Sequence, residues 1–117
     1  MVNIMDKSNQ PTCEIDWHGN KRWYLNGRRH REDGPAIESS NGYKGWFLHG
    51  QYHRETGPAI EYIDGSKSWY HYDKLHRLDG PATEYADGRK EWWFYGKYIN
   101  CSSQEEFERL IKLRALW

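Results

Sequence analysis

Four sets of residues in this chain recur with a common step of 23. Tryptophan returns at Trp23, Trp46, Trp69 and Trp92, and a glycine at Gly19, Gly42, Gly65 and Gly88. His-Arg pairs stand at His30-Arg31, His53-Arg54 and His76-Arg77, each followed by a Gly-Pro-Ala that begins at Gly34, Gly57 and Gly80. Four series sharing one period point to a single supersecondary unit copied along the chain. Such a unit cannot bury its apolar face alone, so copies stack and each touches its neighbours. At 117 residues the chain has room for one array of this kind and not for two domains.

The content of the unit is β. Asp64-Gly65 is a tight-turn signal between two strand-like runs, and Asn41-Gly42, Asp87-Gly88 and the weaker His18-Gly19 stand in the same place. A second turn is expected at Asn26-Gly27, His49-Gly50 and Tyr95-Gly96, with Asp73-Lys74 in place of the glycine. Proline cannot donate to a ladder, so the Gly-Pro-Ala belongs at the start of the next strand. These signals predict strands near 13–17, 21–26, 36–40, 44–49, 59–63, 66–72, 82–86 and 89–95. Paired in sequence, they give an all-β repeat fold: a single-layer antiparallel meander of 23-residue hairpin units.

Alternation assigns side chains to faces. The Trp series shares one face with Leu25, Leu48, His71 and Phe94, while Tyr24, Phe47, Tyr70 and Trp93 point the other way. Both faces therefore carry rings, which suits a sheet surface. Trp23, Trp46, Trp69 and Trp92 are expected to form the structural stripe. Tyr24, Phe47, Tyr70 and Trp93, with Tyr52 and Tyr98 near the second turns, are the candidates for a binding surface.

The fourth copy departs from the pattern. Ser102 and Ser103 can each cap a helix, with Glu105 and Glu106 three residues on. Phe107, Leu110, Ile111 and Leu113 or Arg114 give a helical stripe, and the acids precede the bases as the dipole favours. An array needs its last copy covered, so residues 101–117 are expected to be a capping helix. Residues 13–100 then form a four-unit array, preceded by a flexible N-terminus at 1–12.

Composition bounds the function. Seventeen Lys and Arg balance seventeen Asp and Glu, so no net positive surface draws in phosphates. This argues against nucleic acid, although the aromatic and Arg/Lys rows keep single-strand binding as the alternative. No apolar run is long enough to span a bilayer, and a short helix ending at Trp117 with balanced charge argues against a membrane surface. The opening residues lack a secretory apolar stretch, and Cys13 and Cys101 stand near opposite ends of the chain. Two free thiols and no export signal predict a cytoplasmic protein.

His30, His53 and His76 are the residues that most invite a chemical role. Equivalent positions in successive units lie two strands, or about 10 Å, apart. Three such imidazoles cannot share one zinc ion, whose Zn–N bonds are about 2 Å. No metal or cofactor is therefore expected; each His is assigned to the turn backbone. Each Arg is assigned to an acid such as Asp33, Glu38, Glu61, Asp79 or Glu84. A periodic sheet spreads its acids evenly and converges no unlike groups, so an enzyme is not expected.

The stretch from Trp46 through Gly50 to His53-Arg54 resembles the motif of the MORN-repeat superfamily, roughly Tyr-x-Gly-x-Trp-x-x-Gly-x-x-His-Gly-x-Gly, in a divergent form. Trp, Gly and His keep that order and spacing; the Gly after His is Arg here, and the final Gly-x-Gly becomes x-Asp-Gly-Pro-Ala. The likeness covers residues 13–100. The His-Arg-x-Asp-Gly-Pro-Ala units are similar to those of uncharacterised bacterial and bacteriophage proteins. This resemblance implies protein–protein contact or self-association, including a phage-type protein that binds and inhibits a host protein. The expectation is thus a non-enzymatic protein-binding or scaffolding module with a protein partner. A homodimer is expected to cover the ring row.

Overall fold

The computed structural model describes residues 9–114. The described chain is a predominantly antiparallel β structure closed by one C-terminal helix, a slab with extents of 50 × 38 × 18 Å. Residues 1–8, within the expected flexible N-terminus, and residues 115–117, with Trp117, lie outside the described residues.

The first hairpin joins β1 (Thr12–Ile15) to β2 (Lys21–Leu25), which also pairs with β3 (Arg28–Arg29). Next come β4 (Ile37–Glu38), β5 (Lys44–Gly45), β6 (Phe47–Leu48) and β7 (Gln51–Tyr52). The same order repeats as β8 (Ile60–Glu61), β9 (Lys67–Ser68), β10 (Tyr70–His71) and β11 (Lys74–Leu75). The chain closes with β12 (Thr83–Glu84), β13 (Lys90–Phe94), β14 (Lys97–Ile99) and the helix α1 (Gln104–Arg114). One ten-stranded sheet runs β1-β2-β4-β5-β8-β9-β12-β13-β14 with β3 beside β2. The pairs β6-β7 and β10-β11 stand apart from it.

This corrects the expectation of one unbroken single-layer meander. The strands expected at 44–49 and 66–72 each divide at the tryptophan. Trp46 donates its N–H to Ala59 O and accepts from His53 N–H, so one residue serves two different partner segments. Trp69 does the same with Ala82 and His76. Before the tryptophan the chain belongs to the large sheet, and after it to a small hairpin. The hairpins are tied in series, because Gly50, Asp73 and Gly96 donate to Arg29 O, Tyr52 O and Leu75 O in turn.

The two kinds of turn differ in chemistry. In the first, Tyr62 and Ser66 bracket a three-residue loop in which only Gly65 takes a positive φ (93°), and Asp64 Oδ1 accepts from Ser66 N–H. In the second, two consecutive residues take positive φ, the hairpin turn that favours Asn and Gly: Asn26-Gly27, His49-Gly50, Tyr95-Gly96 and Tyr72-Asp73. The last lies one residue earlier than Asp73-Lys74. Asp73 is held there by its carboxylate, which accepts from Tyr52 N–H at 2.7 Å.

Alanines 36, 59 and 82 are fully buried where the strands meet, and the largest apolar cluster lies at the C-terminal end. There Trp92, Ile99 and Phe107 pack together with Phe94, Cys101, Leu110 and Ile111 around them. The helix is capped by Ser103, whose Oγ accepts from Glu106 N–H, while the Glu106 carboxylate reaches back to Ser102 N–H. Leu113 stays outside the stripe, 50% exposed.

Candidate binding surface

The His row is a set of staples between successive hairpins. Nδ1 of His30, His53 and His76 accepts the backbone N–H of His49, Tyr72 and Tyr95 at 2.9, 3.2 and 2.9 Å. Each donor is the first left-handed residue of the next second turn. The rings follow the same link: His53 stacks on Tyr72 and His76 on Tyr95, with centroids 4.0 and 3.7 Å apart. His30 and His53 are buried and His76 is half-buried. Burial lowers the pKa of His76, with His71 adding to the effect.

The Arg row covers the Trp row. The guanidinium carbons of Arg31, Arg54 and Arg77 lie 3.9, 3.8 and 3.8 Å from the ring centres of Trp23, Trp46 and Trp69. Each Nη1 also donates to the carbonyl of Pro35, Pro58 or Pro81 at 3.1 Å. Arg31 pairs with Asp33, Arg54 with Glu61, and Arg77 with Asp79 and Glu84; Glu38 is not among their partners. Gly34, Gly57 and Gly80 are where this arm crosses the chain. A Cβ there would sit 2.8, 3.0 or 2.6 Å from the guanidinium carbon. Sequence reasoning assigned the acids but not the ring contact, for which the fixed Trp, Arg and Gly offsets are the available signal.

The expected binding residues divide. Phe47 is buried, 4% exposed, with Tyr52 stacked on it at 4.1 Å. It cannot serve as an exposed contact, because its own hairpin partner covers it. Tyr24, Tyr52, Tyr70 and Trp93 are half-buried, and Tyr98 is exposed, packed edge-on to Trp93. Tyr52 lies between Phe47 and Tyr70, and its hydroxyl is 3.2 Å from that of Tyr43. Tyr70 and Trp93 also line an open groove of about 410 Å³ with Tyr62, Leu75 and Tyr85. Tyr43, Tyr62 and Tyr85 were missed by alternation; Tyr62 and Tyr85 are themselves one 23-residue step apart. Burial raises the pKa of Tyr43, Tyr70 and Tyr85, so these phenols stay protonated at neutral pH.

Sequence spacing also missed His71. With His53 and Glu55 it brings possible metal-ligand atoms within 4.8 Å of one another. The protons decide how this group reads. His53 Nδ1 is an acceptor for Tyr72 N–H, so the neutral ring carries its proton on Nε2 and donates to Glu55 at 2.6 Å. Ligation through Nε2 would strip that proton while Nδ1 remains an acceptor. The arrangement is that of a hydrogen-bonded pair.

Among the described residues no helix is long and apolar enough to cross a membrane. Compared with protein-family models, curated proteins and solved structures, the chain matches none.

Proposed function

We propose that the chain is a non-enzymatic protein-binding module built as a MORN-like array of 23-residue hairpin units. The observation that carries this reading is the open groove walled by Tyr62, Tyr70, Tyr85 and Trp93. Amphipathic rings with partly free faces are what protein interfaces favour. Asp64 and Glu91 line the same groove and disfavour a phosphate backbone there. The resemblance to bacteriophage proteins frames the partner as a host protein that the module binds and inhibits. A second copy of the chain is the other partner this surface suits.

Sedimentation equilibrium over a hundredfold concentration range tests self-association. A dimer that is lost in the Tyr62→Glu, Tyr70→Glu double variant places the contact on this groove. A single 14.1 kDa species throughout rules out the homodimer and leaves a foreign protein as the partner.

A further inference from the structure

Among the described residues, the fourth tryptophan makes a side-chain hydrogen bond that Trp46 and Trp69 do not. Trp92 Nε1–H donates to Gln104 Oε1 at 2.8 Å, and the same carboxamide donates from Nε2 to Leu78 O at 2.8 Å. One amide thus bridges a tryptophan floor and the carbonyl of the preceding His-Arg loop. Subtracting 23 from Trp92 and Leu78 gives Trp69 and Glu55, and subtracting it again gives Trp46 and Glu32. Trp46, with Arg54 over its ring, lines a groove of about 490 Å³ between the loops at 31–35 and 53–56. Trp69 lines one of about 600 Å³ between the loops at 54–58 and 76–79. Neither indole N–H has a hydrogen-bond partner within the described chain, and neither Glu32 O nor Glu55 O accepts one. The two grooves therefore present the donor and acceptor that Gln104 joins in the fourth position, with no amide between them.

We infer that the Trp46 and Trp69 grooves bind a partner polypeptide through its Gln or Asn side chains, each carboxamide bridging a Trp Nε1–H and the carbonyl of Glu32 or Glu55 as Gln104 does for Trp92 and Leu78. The chemistry asks for an uncharged group that both accepts and donates, and the Gln104 contacts point to a carboxamide. A carboxylate could accept from the indole but could not donate to the carbonyl, and the Arg31, Arg54 and Arg77 side chains on the walls already face Asp33, Glu61 and Asp79. An ammonium group has no acceptor for the indole N–H. The spacing selects the backbone. Successive grooves are one unit apart, about 10 Å across two strands. A polyproline II segment, with three residues per turn and a rise of about 3.1 Å, sets every third side chain on one face about 9 Å apart. The occupant is thus an extended segment with an amide at every third residue. This site uses the Trp and loop residues rather than the aromatic groove proposed above, so the two can fail separately.

The test is a titration of the full chain with acetyl-(Gln-Pro-Pro)4-amide, followed by the indole N–H resonances in a proton–nitrogen correlation spectrum. Acetyl-(Ala-Pro-Pro)4-amide and acetyl-(Glu-Pro-Pro)4-amide are the controls. The resonances of Trp46 and Trp69 should shift with the Gln peptide while that of Trp92 stays. Affinity for either control should be lower by well over tenfold, since each amide makes two hydrogen bonds and tenfold is about the worth of one. Trp69→Phe keeps a ring in the groove and should weaken the Gln peptide by about tenfold, the worth of the one hydrogen bond it removes. Gln104→Leu removes the internal amide at a residue that lines neither groove itself, although its partner Leu78 lines the Trp69 groove. In that variant the Trp92 resonance should move and then respond to the peptide. Equal shifts with the Ala peptide, or none with the Gln peptide at millimolar concentration, overturn the inference. So does a Trp92 resonance that ignores the loss of Gln104.

Discussion

Trp92 and Trp69 stand 23 residues apart in the sequence, and the molecule treats them differently. Trp92 is 7% exposed beneath Ile99 and a fully buried Phe107, with its indole N–H bonded to the helix. Trp69 is half-buried, with the Arg77 guanidinium over its ring and no partner for its indole N–H among the described residues. The end of the array is closed by apolar burial. The interior is held by His staples, Arg–Trp contacts and backbone hydrogen bonds. Among the described residues, the packed apolar cluster is the one at the C-terminal helix. The interior is left with surface on both sides, which is where a partner can bind.

The largest effect expected from this contrast is at the cap. Phe107→Ala should cost about 3–5 kcal/mol, the range for a buried aromatic ring, whereas Trp69→Ala should cost roughly half as much because its ring is only partly removed from water. Urea denaturation of both variants measures the difference. Equal losses would show that the interior holds an apolar core comparable to the cap.

A middle-sized effect belongs to the staples. His53→Phe keeps a flat ring against Tyr72 but leaves Tyr72 N–H without its acceptor. The cost should be about 1–3 kcal/mol. Amide exchange at Tyr72 should quicken in step; an unchanged exchange rate would mean that the link carries no weight.

The staple at His76 also gives the fold a pH dependence. Burial holds its folded pKa below the ordinary histidine value, so the unfolded chain binds the proton more readily. Its contribution is intact above the unfolded value and is lost as pH falls through the depressed folded value. Denaturation midpoints should drop between pH 7.5 and pH 5, and less so in His76→Gln. A midpoint that rises on acidification would reverse the assignment.

The smallest effect is at the arginine arm. Gly80→Ala places a Cβ 2.6 Å from Arg77 Cζ and should lift the guanidinium off Trp69, at a cost of about 1 kcal/mol for a cation–π contact largely removed from water. Trp69 fluorescence reports the displacement. No change in emission would show that the arm is not seated on the ring.

Much of this architecture was legible from period and turn chemistry. The antiparallel β content, the helix after Ser103 and the placement of glycine in the first turns follow from local preferences that tertiary contacts leave intact. The breaks at Trp46 and Trp69 were not legible, because alternation assumes that a strand keeps one partner along its length. Phe47 was misplaced for a related reason. Alternation told which way its ring points but not that Tyr52, across the second turn, would cover it. The pairing of Trp92 with Gln104 depends on a helix that begins where the fourth Pro would stand, a contact that no repeat pattern encodes. His71 joined His53 and Glu55 because the second hairpins are tied in series, which the sequence does not announce.

Affinity capture from a lysate of the native cells, run with the wild-type chain and with the Tyr62→Glu, Tyr70→Glu double variant at matched denaturation midpoints, tests the central claim most directly. Wild type should retain a protein in near-stoichiometric amount, and the variant should lose it. Equal retention by both, or retention of nucleic acid in place of protein, would contradict a protein-binding role for this groove.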